Sequence, residues 1–298
     1  MKKIISLFLV LAIGAMALTA CGGNGTSDGS DSGSAAAFDT SKAITVVSRE
    51  TGSGTRGAFI ELTGVEVKEG DTKVDKTIAD AEVANSTNIV LQSVAGNPYA
   101  IGYISLGALN DTVKAVKVDG VEATVENIKA GTYALARPFL MVTGKAPDEA
   151  TQDFISFCMS AEGQKIVEDE KYIATAENAS SYKASGAKGK VLVSGSSSVS
   201  PVMEKLIEAF AKLNTDITVE LNTSDSSTGI KDAISGSAQI GIASRELKDT
   251  ESPELTETKL AIDGIAVIVN STNTTADLTT AGIKAIYTGE TTKWSDAK

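Results

Sequence analysis

The sequence predicts an α/β protein, and three observations support this prediction. From Ile44 onward, short runs rich in β-branched residues alternate with amphipathic helical patterns, as they do in α/β units. The 298 residues are enough for one large or two medium domains with a buried core. Hydrophobic residues make up 42% of the chain, which is typical of a globular protein.

The first 43 residues predict targeting and a tether rather than part of the domain. Residues 1–20 combine a basic start with an apolar run, which is the pattern of a secretory signal. The run ends in ALTAC, which resembles a bacterial lipobox, so Cys21 is expected to be lipidated and to become the mature N-terminus. A plain secretory signal is the alternative. Residues 21–43, dominated by Gly, Ser and Asp, predict a flexible tether.

The next part of the chain predicts four strands and three helices. β-Branched and aromatic residues mark the strands, and apolar residues at three- and four-residue spacing mark the helices. In chain order these are a strand at ITVVS, a helix at TRGAFIEL, strands at AIGYISL and VKAVKV, a short helix at TVENIKAG, a strand at RPFLMVT and a long helix over residues 150–167.

The last part of the chain repeats the same alternation after a predicted surface connection at residues 182–190. The elements are a strand at KVLVS, a helix at SPVMEKLIEAFAKLN, a strand at ITVEL, a helix at STGIKDAISG, strands at AQIGIAS and KLAIDGIAVIVN, and a helix at TTAGIKAIYTG. Residues 259–270 are the most apolar strand, so we expect that strand to be central in its sheet.

Composition excludes several classes of function. The chain contains no histidine, which excludes Ser-His-Asp and Cys-His catalysis and histidine-ligated zinc. The formal net charge of −11 argues against nucleic acid as a partner, because a phosphate backbone needs a basic face. Cys158 lies in an apolar helical pattern and is expected to be a buried, inert thiol. We expect neither a metal nor a cofactor.

Three predicted strand-to-helix junctions share one chemistry. Glycine and small hydroxyl residues stand at each helix start, in SRETGSGTR (48–56), SGSSSVSP (194–201) and TSDSSTGIK (223–231). The first turn of a helix carries unpaired backbone N–H groups and a partial positive charge. The pattern therefore predicts a site where several helix N-termini converge on one small oxyanion. Flexible linkers are the alternative, although apolar strand and helix patterns bracket each loop.

Two arginines in the first junction strengthen this prediction. Arg49 stands at the end of the first strand, where its guanidinium could hold two oxygens of a tetrahedral anion. Arg56 lies in the first turn of the following helix, where a cation opposes the helix dipole. We therefore expect Arg56 either to have an anionic partner or to be exposed.

The same junction also spells the dinucleotide fingerprint G-x-G-x-x-G. That fold needs a second strand ending in an acidic residue about 20 residues later. Here the segment VEVKEGDTKVDK is polar and lacks a clean strand pattern. We interpret the fingerprint as incidental.

Six motifs carry a resemblance to a known family. They are VVSRETGSGTRGAF, AIGYISLG, VDGVEATVENIKAGTYALARPFLMVT, GSSSVSPVMEKL, IGIASRELKD and AIDGIAVIVN. They resemble the phosphate-binding lipoproteins of bacterial ABC-type phosphate importers over nearly all of residues 44–298. The resemblance implies a two-lobed periplasmic-binding-protein fold of type II. In this fold each lobe is a mixed sheet flanked by helices, and a hinge and a ligand cleft lie between the lobes.

The resemblance also implies what the protein does and where. With the ALTAC pattern, we expect the protein to be lipid-anchored at the extracellular face of the bacterial cytoplasmic membrane, and we expect a monomer because nothing in the sequence demands more. The protein would capture inorganic phosphate and deliver it to the membrane permease subunits of an ABC phosphate importer, with no enzymatic step.

The two sequence halves stand in the opposite order to the usual family pattern, in which the GSSSVSP half comes first. The resemblance therefore implies a circular permutant, with residues 179–190 bridging the ordinary ends. Termini often lie close together at the surface, so a fold can tolerate such an exchange. The expected lobes are 44–138 plus 271–298 for lobe A and 139–270 for lobe B. The crossings between them are expected near Arg137-Pro138 and near Asn270.

Matching motifs assign expected phosphate ligands to both halves of the sequence. The expected ligands are Arg49, Ser53, Gly54 and Thr55 from one half, and Ser198, the backbone N–H of Val199, and Ser226 from the other. Possible additional ligands or register alternatives are Arg56, Ser197 and Ser227.

The sequence departs from the family pattern at two positions. Relatives often place an aspartate after the serine of the AS pair, where it accepts a hydrogen bond from a protonated phosphate oxygen. Here that position is Arg245, followed by Glu246, and both are kept as possible site residues. Asp263, which interrupts an apolar strand, is predicted to be the acceptor; Glu246 and Asp225 are alternatives, and a structural role for Asp263 is equally open. Thr51 stands where an acidic residue often accompanies the arginine.

Three other functions remain as alternatives. The chain could be a receptor for another tetrahedral oxyanion, such as sulfate, molybdate or a phosphonate. It could be a surface or signalling lipoprotein that binds no anion. Hydrolysis is disfavoured because the sequence has no histidine and no nucleophile elbow.

Overall fold

The computed structural model describes residues 37–70 and 72–298. The predicted signal peptide, most of the predicted tether and Cys21 lie outside the described residues. Within these two ranges, no helix has both the length and the apolar character needed to cross a membrane.

Strands and helices alternate along the described chain, as the sequence pattern predicts. The strands are β1 Thr45–Arg49, β2 Glu66–Glu69, β3 Thr72–Asp75, β4 Glu82–Ala84, β5 Ala100–Ser105, β6 Val113–Ala115, β7 Lys117–Val118, β8 Ala136–Thr143, β9 Ile173–Ala174, β10 Gly189–Ser196, β11 Ile217–Ser224, β12 Ile240–Ala243, β13 Thr256–Asn270 and β14 Asp277–Leu278. The helices are α1 Gly54–Thr63, α2 Thr87–Gly96, α3 Val125–Lys129, α4 Glu149–Cys158, α5 Ala161–Asp169, α6 Ser200–Leu213, α7 Ser226–Ser235 and α8 Thr280–Tyr287.

The long strand β13 is the centre of a mixed sheet. The strand order is β11-β10-β12-β8-β13-β5-β1-β4, and β6 and β9 are further partners of β13. Strand β10 is parallel to β11 and β12, β1 is parallel to β4 and β5, and β13 is antiparallel to β8 and β5. The prediction of a central strand at residues 259–270 is confirmed.

Strand β13 joins two hydrophobic cores. Up to Gly264 it pairs with β8, and from Ile265 it pairs with β5. One core is formed chiefly by β1, α1, β5, α2, α8 and the second part of β13, and we call these elements side A. The other is formed chiefly by β8, β10, β11, β12, α4 and α6, and a smaller cluster packs α7 against β8 and β12; we call these elements side B. The chain thus passes between the sides at the start of β8 and near Gly264, which is earlier along β13 than the predicted crossing at Asn270.

The two ends of the described chain lie side by side on side A. The N–H of Ile44 donates a hydrogen bond to the carbonyl of Thr292 (2.8 Å). The ring of Phe38 meets the ring of Trp294 edge-on, with centroids 5.9 Å apart. The segment that precedes β1 and the segment that follows α8 therefore pack against each other.

The segment predicted to bridge the ordinary ends, residues 179–190, is anchored to side B. The ring of Tyr182 packs against those of Phe157 and Phe210, with centroids 5.4 and 5.8 Å apart. Its hydroxyl donates to the buried carboxylate of Asp153 (2.9 Å). The connection is therefore held in place by one aromatic side chain.

Several predicted elements differ from the structure. The long helix expected over residues 150–167 divides into α4 and α5, because the hydroxyl of Ser160 accepts from the N–H of Gly163 and caps a new helix. The strand expected at VKAVKV divides into β6 and β7. The segment VEVKEGDTKVDK forms the antiparallel hairpin β2–β3, whose two short strands are largely exposed. Helix α2 and strand β4 were not predicted.

Candidate anion-binding site

The three strand-to-helix junctions predicted from the sequence converge where sides A and B meet. The β1–α1 junction comes from side A, and the β10–α6 and β11–α7 junctions come from side B. The hydroxyls of Thr55 and Ser198 are hydrogen-bonded across the boundary (2.7 Å). The N–H of Ser227 donates to the carbonyl of Gly52 (3.2 Å). The structure thus brings all three loops together, as the shared chemistry predicts.

Arg49 carries the positive charge of this site. It ends β1, and 2% of the residue is exposed. Its Nε and Nη2 donate to the two carboxylate oxygens of Glu50 (2.8 and 2.7 Å). Nη2 also donates to the hydroxyl of Ser197 on side B (3.0 Å), and Nη1 donates to that of Thr87 (3.4 Å). A buried guanidinium needs such partners because desolvating a charge is costly. Nε and Nη2 bind Glu50, and the edge formed by Nη1 and Nη2 faces the hydroxyls of Thr87 and Ser197.

Two further residues contact the Arg49 guanidinium, namely Glu50 and Thr87. Neither is among the predicted site residues. Glu50 is the acidic partner of Arg49. It stands one residue before Thr51, where the family pattern led us to expect such a partner. Thr87 begins α2 and approaches the hydroxyl of Ser198 (3.3 Å). The sequence signal for Glu50 was its position beside the arginine. No helix had been predicted at Thr87.

A chain of serine hydroxyls lines side B of the site. The N–H of Ser198 donates to the hydroxyl of Ser196 (3.3 Å), which in turn donates to that of Ser244 (3.0 Å). The N–H of Ser244 donates to the hydroxyl of Ser226 (3.1 Å). The hydroxyl oxygens of Ser226 and Ser244 also lie 3.4 Å apart, where either could donate to the other. Ser196 and Ser244 were not predicted as site residues.

Gly54 allows the closest approach between the two sides. A Cβ added there would lie under 3.0 Å from the hydroxyl oxygens of Ser226 and Ser244. Gly54 and Thr55 are the first residues of α1, so their N–H groups have no acceptor within the helix. The side chain of Ser53 caps α1 by accepting from the N–H of Arg56. The N–H of Val199, expected to bind the anion, donates to the carbonyl of Ser196 (3.0 Å).

The arginines and carboxylates kept as possible site residues have other partners. Arg56 pairs with Asp75 (2.7 Å) and donates to the carbonyl of Arg49 (2.6 Å). Arg245 pairs with Glu251 (2.8 Å) and donates to the hydroxyl of Ser227 (3.3 Å). Neither guanidinium donates to the hydroxyls of Thr55, Ser198 or Ser226, which meet between the two sides.

Three carboxylates were candidates for the hydrogen-bond acceptor. Asp225 caps α7 by accepting from the N–H and the hydroxyl of Thr228 (2.9 and 2.8 Å). Glu246 is exposed. Asp263 is buried and pairs with Arg137 (3.0 Å), which donates to the backbone carbonyl of Ser244 (3.3 Å).

A groove of about 770 Å³ opens between the two sides next to the site. Residues of α1, including Gly57 and Leu62, form one wall, and the segment from Arg245 to Asp249 forms the other. Across the described ranges, no cluster of Cys, Asp or Glu has the arrangement needed to hold a metal ion. The site is thus built from one guanidinium, hydroxyls and helix N-termini, which are the groups that bind oxyanions.

Several known proteins are similar to this chain in sequence or in fold. Residues 31–162 and 180–298 match a family described as a PBP superfamily domain. The chain is 54% identical over 256 residues to the phosphate-binding protein PstS 2 of Streptococcus agalactiae, covering 85% of this chain and 87% of that protein. It is 41% identical over 297 residues to PstS 2 of Streptococcus pneumoniae, covering 100% of this chain and 99% of that protein. A crystal structure of a phosphate-binding protein of a phosphate ABC transporter from Streptococcus pneumoniae TIGR4 superposes with a TM-score of 0.70 at 44% identity, covering 86% of this chain and all of that one.

Proposed function

Because this chain belongs to the PstS family of phosphate-binding proteins, we propose that it is the phosphate-binding component of an ABC-type phosphate importer. Its relatives are transport components, and the family is not one of enzymes. The observation that carries the proposal is the convergence of Arg49 with the hydroxyls of Thr55, Ser198 and Ser226 between the two sides.

The ligand set of the proposal follows from this geometry. The Arg49 guanidinium holds two phosphate oxygens, and the N-termini of α1 and α7 supply further donors at Gly54, Thr55 and Ser226. The Thr55 and Ser198 hydroxyls, now bonded to each other, turn toward the anion when it binds. Affinity comes from removing the ion from water into a cleft of fixed donors. Arg56 and Arg245 act outside the ligand shell in this account, since each is paired with a carboxylate.

Sides A and B are proposed to be the two lobes of the binding protein. Two pairs of residues, Ala136–Arg137 and Gly264–Ile265, would be the hinge, since β8 begins at the first pair and β13 changes its partner from β8 to β5 at the second. Relative to the expected lobes, residues 265–270 then belong to lobe A, because their side chains pack in its core.

The circular permutation remains part of the proposal. It is supported by the adjacent ends of the described chain on side A and by the packed segment 179–190 on side B. The relative of 41% identity aligns along the whole chain, so the two share this order of halves. Lipidation of Cys21 and anchoring at the extracellular face of the membrane are proposed from the ALTAC pattern.

Calorimetric titration tests the proposed function. The purified chain, freed of bound anion by partial unfolding and refolding, is titrated with phosphate and with sulfate between pH 5 and 8. The serine and threonine hydroxyls of the site can accept a hydrogen bond from the proton that phosphate carries, and sulfate has no such proton. We therefore expect phosphate to bind with a Kd of about 1 μM or below and sulfate to bind more weakly.

Two other outcomes would change the proposal. Sulfate binding as tight as phosphate would make the protein a receptor for tetrahedral oxyanions in general. Absence of binding to both anions would contradict the proposed function and favour a surface or signalling role.

A further inference from the structure

A buried ion pair stands at the place where the chain passes between the two sides. Arg137 on β8 faces Asp263 on β13 in the strand register. Its Nη2 and Nε donate to the same carboxylate oxygen, Oδ2, at 3.0 and 3.3 Å. The two side chains are 1% and 0% exposed. The Arg137 guanidinium also lies over the ring of Phe139, 5.5 Å from its centre.

A buried ion pair of this kind is not expected to add much to the stability of the fold. Burial raises the pKa of Asp263 to about 6, despite the opposing effect of Arg137, and burial lowers the pKa of Arg137. Burial is the largest cause of both shifts, and the attraction between the two groups opposes it. Buried pairs can often be replaced by apolar residues without loss of stability, so another role explains this one better.

The ion pair is connected directly to the anion-binding site. Nη1 of Arg137 donates to the backbone carbonyl of Ser244 (3.3 Å). Ser244 in turn contacts Ser196 through its hydroxyl and Ser226 through its N–H. One side chain therefore joins the hinge carboxylate to the residue that organises the hydroxyls of side B.

Several buried polar atoms at and around Asp263 have no hydrogen-bond partner, and they come from both sides. Its second oxygen, Oδ1, is buried without a hydrogen-bond partner, as are the hydroxyls of Ser105 from side A and Tyr172 from side B. The Tyr172 ring lies directly on the backbone of Gly107, where a Cβ would overlap it. A small shift between the sides would therefore change which of these groups are paired.

We propose, building on the proposed function, that Arg137 and Asp263 are positioning residues for the oxyanion. The ion pair fixes the Arg137 side chain, which holds the Ser244 backbone so that the hydroxyls of Ser196, Ser226 and Ser244 face the anion. The pair thus links the hinge to the affinity of the site.

The link makes affinity depend on the ionisation of Asp263. The titratable or charged groups around the carboxyl are Arg137 on β8, Tyr133 before β8 and Tyr172 before β9, with Arg49 beyond Arg137. The carboxylate is ionised above about pH 6, so its contribution to affinity is present there. The contribution is lost as the pH falls through that value, because a neutral carboxyl no longer fixes the guanidinium.

Two substitutions in the full chain test the proposal. Asp263→Asn removes the charge at nearly constant shape. Arg137→Lys keeps a cation for Asp263 but cannot reach both that carboxylate and the Ser244 carbonyl. We expect each to weaken phosphate binding about 10-fold at pH 8. The wild-type to Asp263→Asn affinity ratio should fall toward 1 at pH 5, and this ratio cancels the titration of phosphate itself.

Asp153→Asn is the matched control for a buried carboxylate. Asp153 accepts from Tyr182 and Asn214 within side B, apart from the site. We expect this variant to lower the melting temperature without changing phosphate affinity or its pH profile. Folded Arg137→Lys that binds phosphate as the wild type does at pH 8 would overturn the inference alone, as would an affinity ratio independent of pH. A wild-type chain that binds no phosphate would overturn the proposed function and this inference with it.

Discussion

Replacing Arg49 by glutamine is expected to lower phosphate affinity by about 1000-fold. Arg49 is the guanidinium buried at the centre of the converging loops, and glutamine keeps hydrogen-bonding capacity but not the charge. Truncating one partner of a buried charge pair costs about 2–5 kcal/mol, and ~4 kcal/mol corresponds to about 1000-fold in Kd. The loss also leaves the Glu50 carboxylate unpaired beside the anion. Isothermal titration with phosphate at pH 7 measures the effect.

Arg56→Lys is the matched control in the same loop. Lysine at this position can still pair with Asp75, and Arg56 is not placed among the anion ligands. We expect its phosphate affinity to lie within about 3-fold of the wild type, since lysine keeps the partly buried pairing with Asp75 and Arg56 is not an anion ligand. A larger loss with Arg56→Lys than with Arg49→Gln would show that the sequence was right to keep Arg56 as a ligand and that the proposed ligand set is wrong.

Replacing Gly54 by alanine is expected to weaken phosphate binding about 10- to 100-fold without unfolding the protein. The new methyl group would meet the hydroxyls of Ser226 and Ser244 from the opposite side, so the two sides could not approach as closely. Overpacking of this kind costs about 1–3 kcal/mol. Alanine favours the helix itself, so the cost falls on the contact between the sides and not on α1. Titration and a thermal melt of the free protein separate the two effects.

Gly57→Ala, one turn later in α1, makes the same chemical change in a roomier place. The added Cβ would lie 3.6 Å from Cδ of Arg245, an ordinary contact. We expect phosphate affinity within about 2-fold of wild type, because a contact at this distance causes no overlap. Equal losses with both alanine variants would mean that helix α1, and not the approach of Gly54 to the serines, limits binding.

The sequence predicted the parts of the site whose chemistry is local. Glycine and hydroxyl residues at three helix starts predicted the loops that the structure brings together, and Arg49 lies among them. The partners of the other arginines could not be predicted in the same way. Arg245 pairs with Glu251, and Arg56 on α1 pairs with Asp75 at the end of β3. Such pairs depend on how the chain folds back, which residue spacing does not show.

There are also physical reasons why some elements could not be predicted from the sequence. Thr87 was not among the predicted site residues because no helix was predicted there. Helix α2 follows a polar segment with little apolar periodicity, and the helix is buried by packing on β5. The split of the long helix at Ser160 shows a local cap overriding a continuous apolar pattern. Asp263 was recognised as unusual within an apolar strand, but its pairing with Arg137 depends on the register of β8 against β13.

A crystal structure of the chain grown with phosphate tests the central claim most directly. We expect the anion between the two sides, with its oxygens within hydrogen-bonding distance of the Arg49 guanidinium and of the Thr55, Ser198 and Ser226 hydroxyls. The direct bond between Thr55 and Ser198 should then be replaced by bonds to phosphate. Phosphate bound instead in the groove beside Arg245, with the Thr55–Ser198 bond intact, would contradict this account.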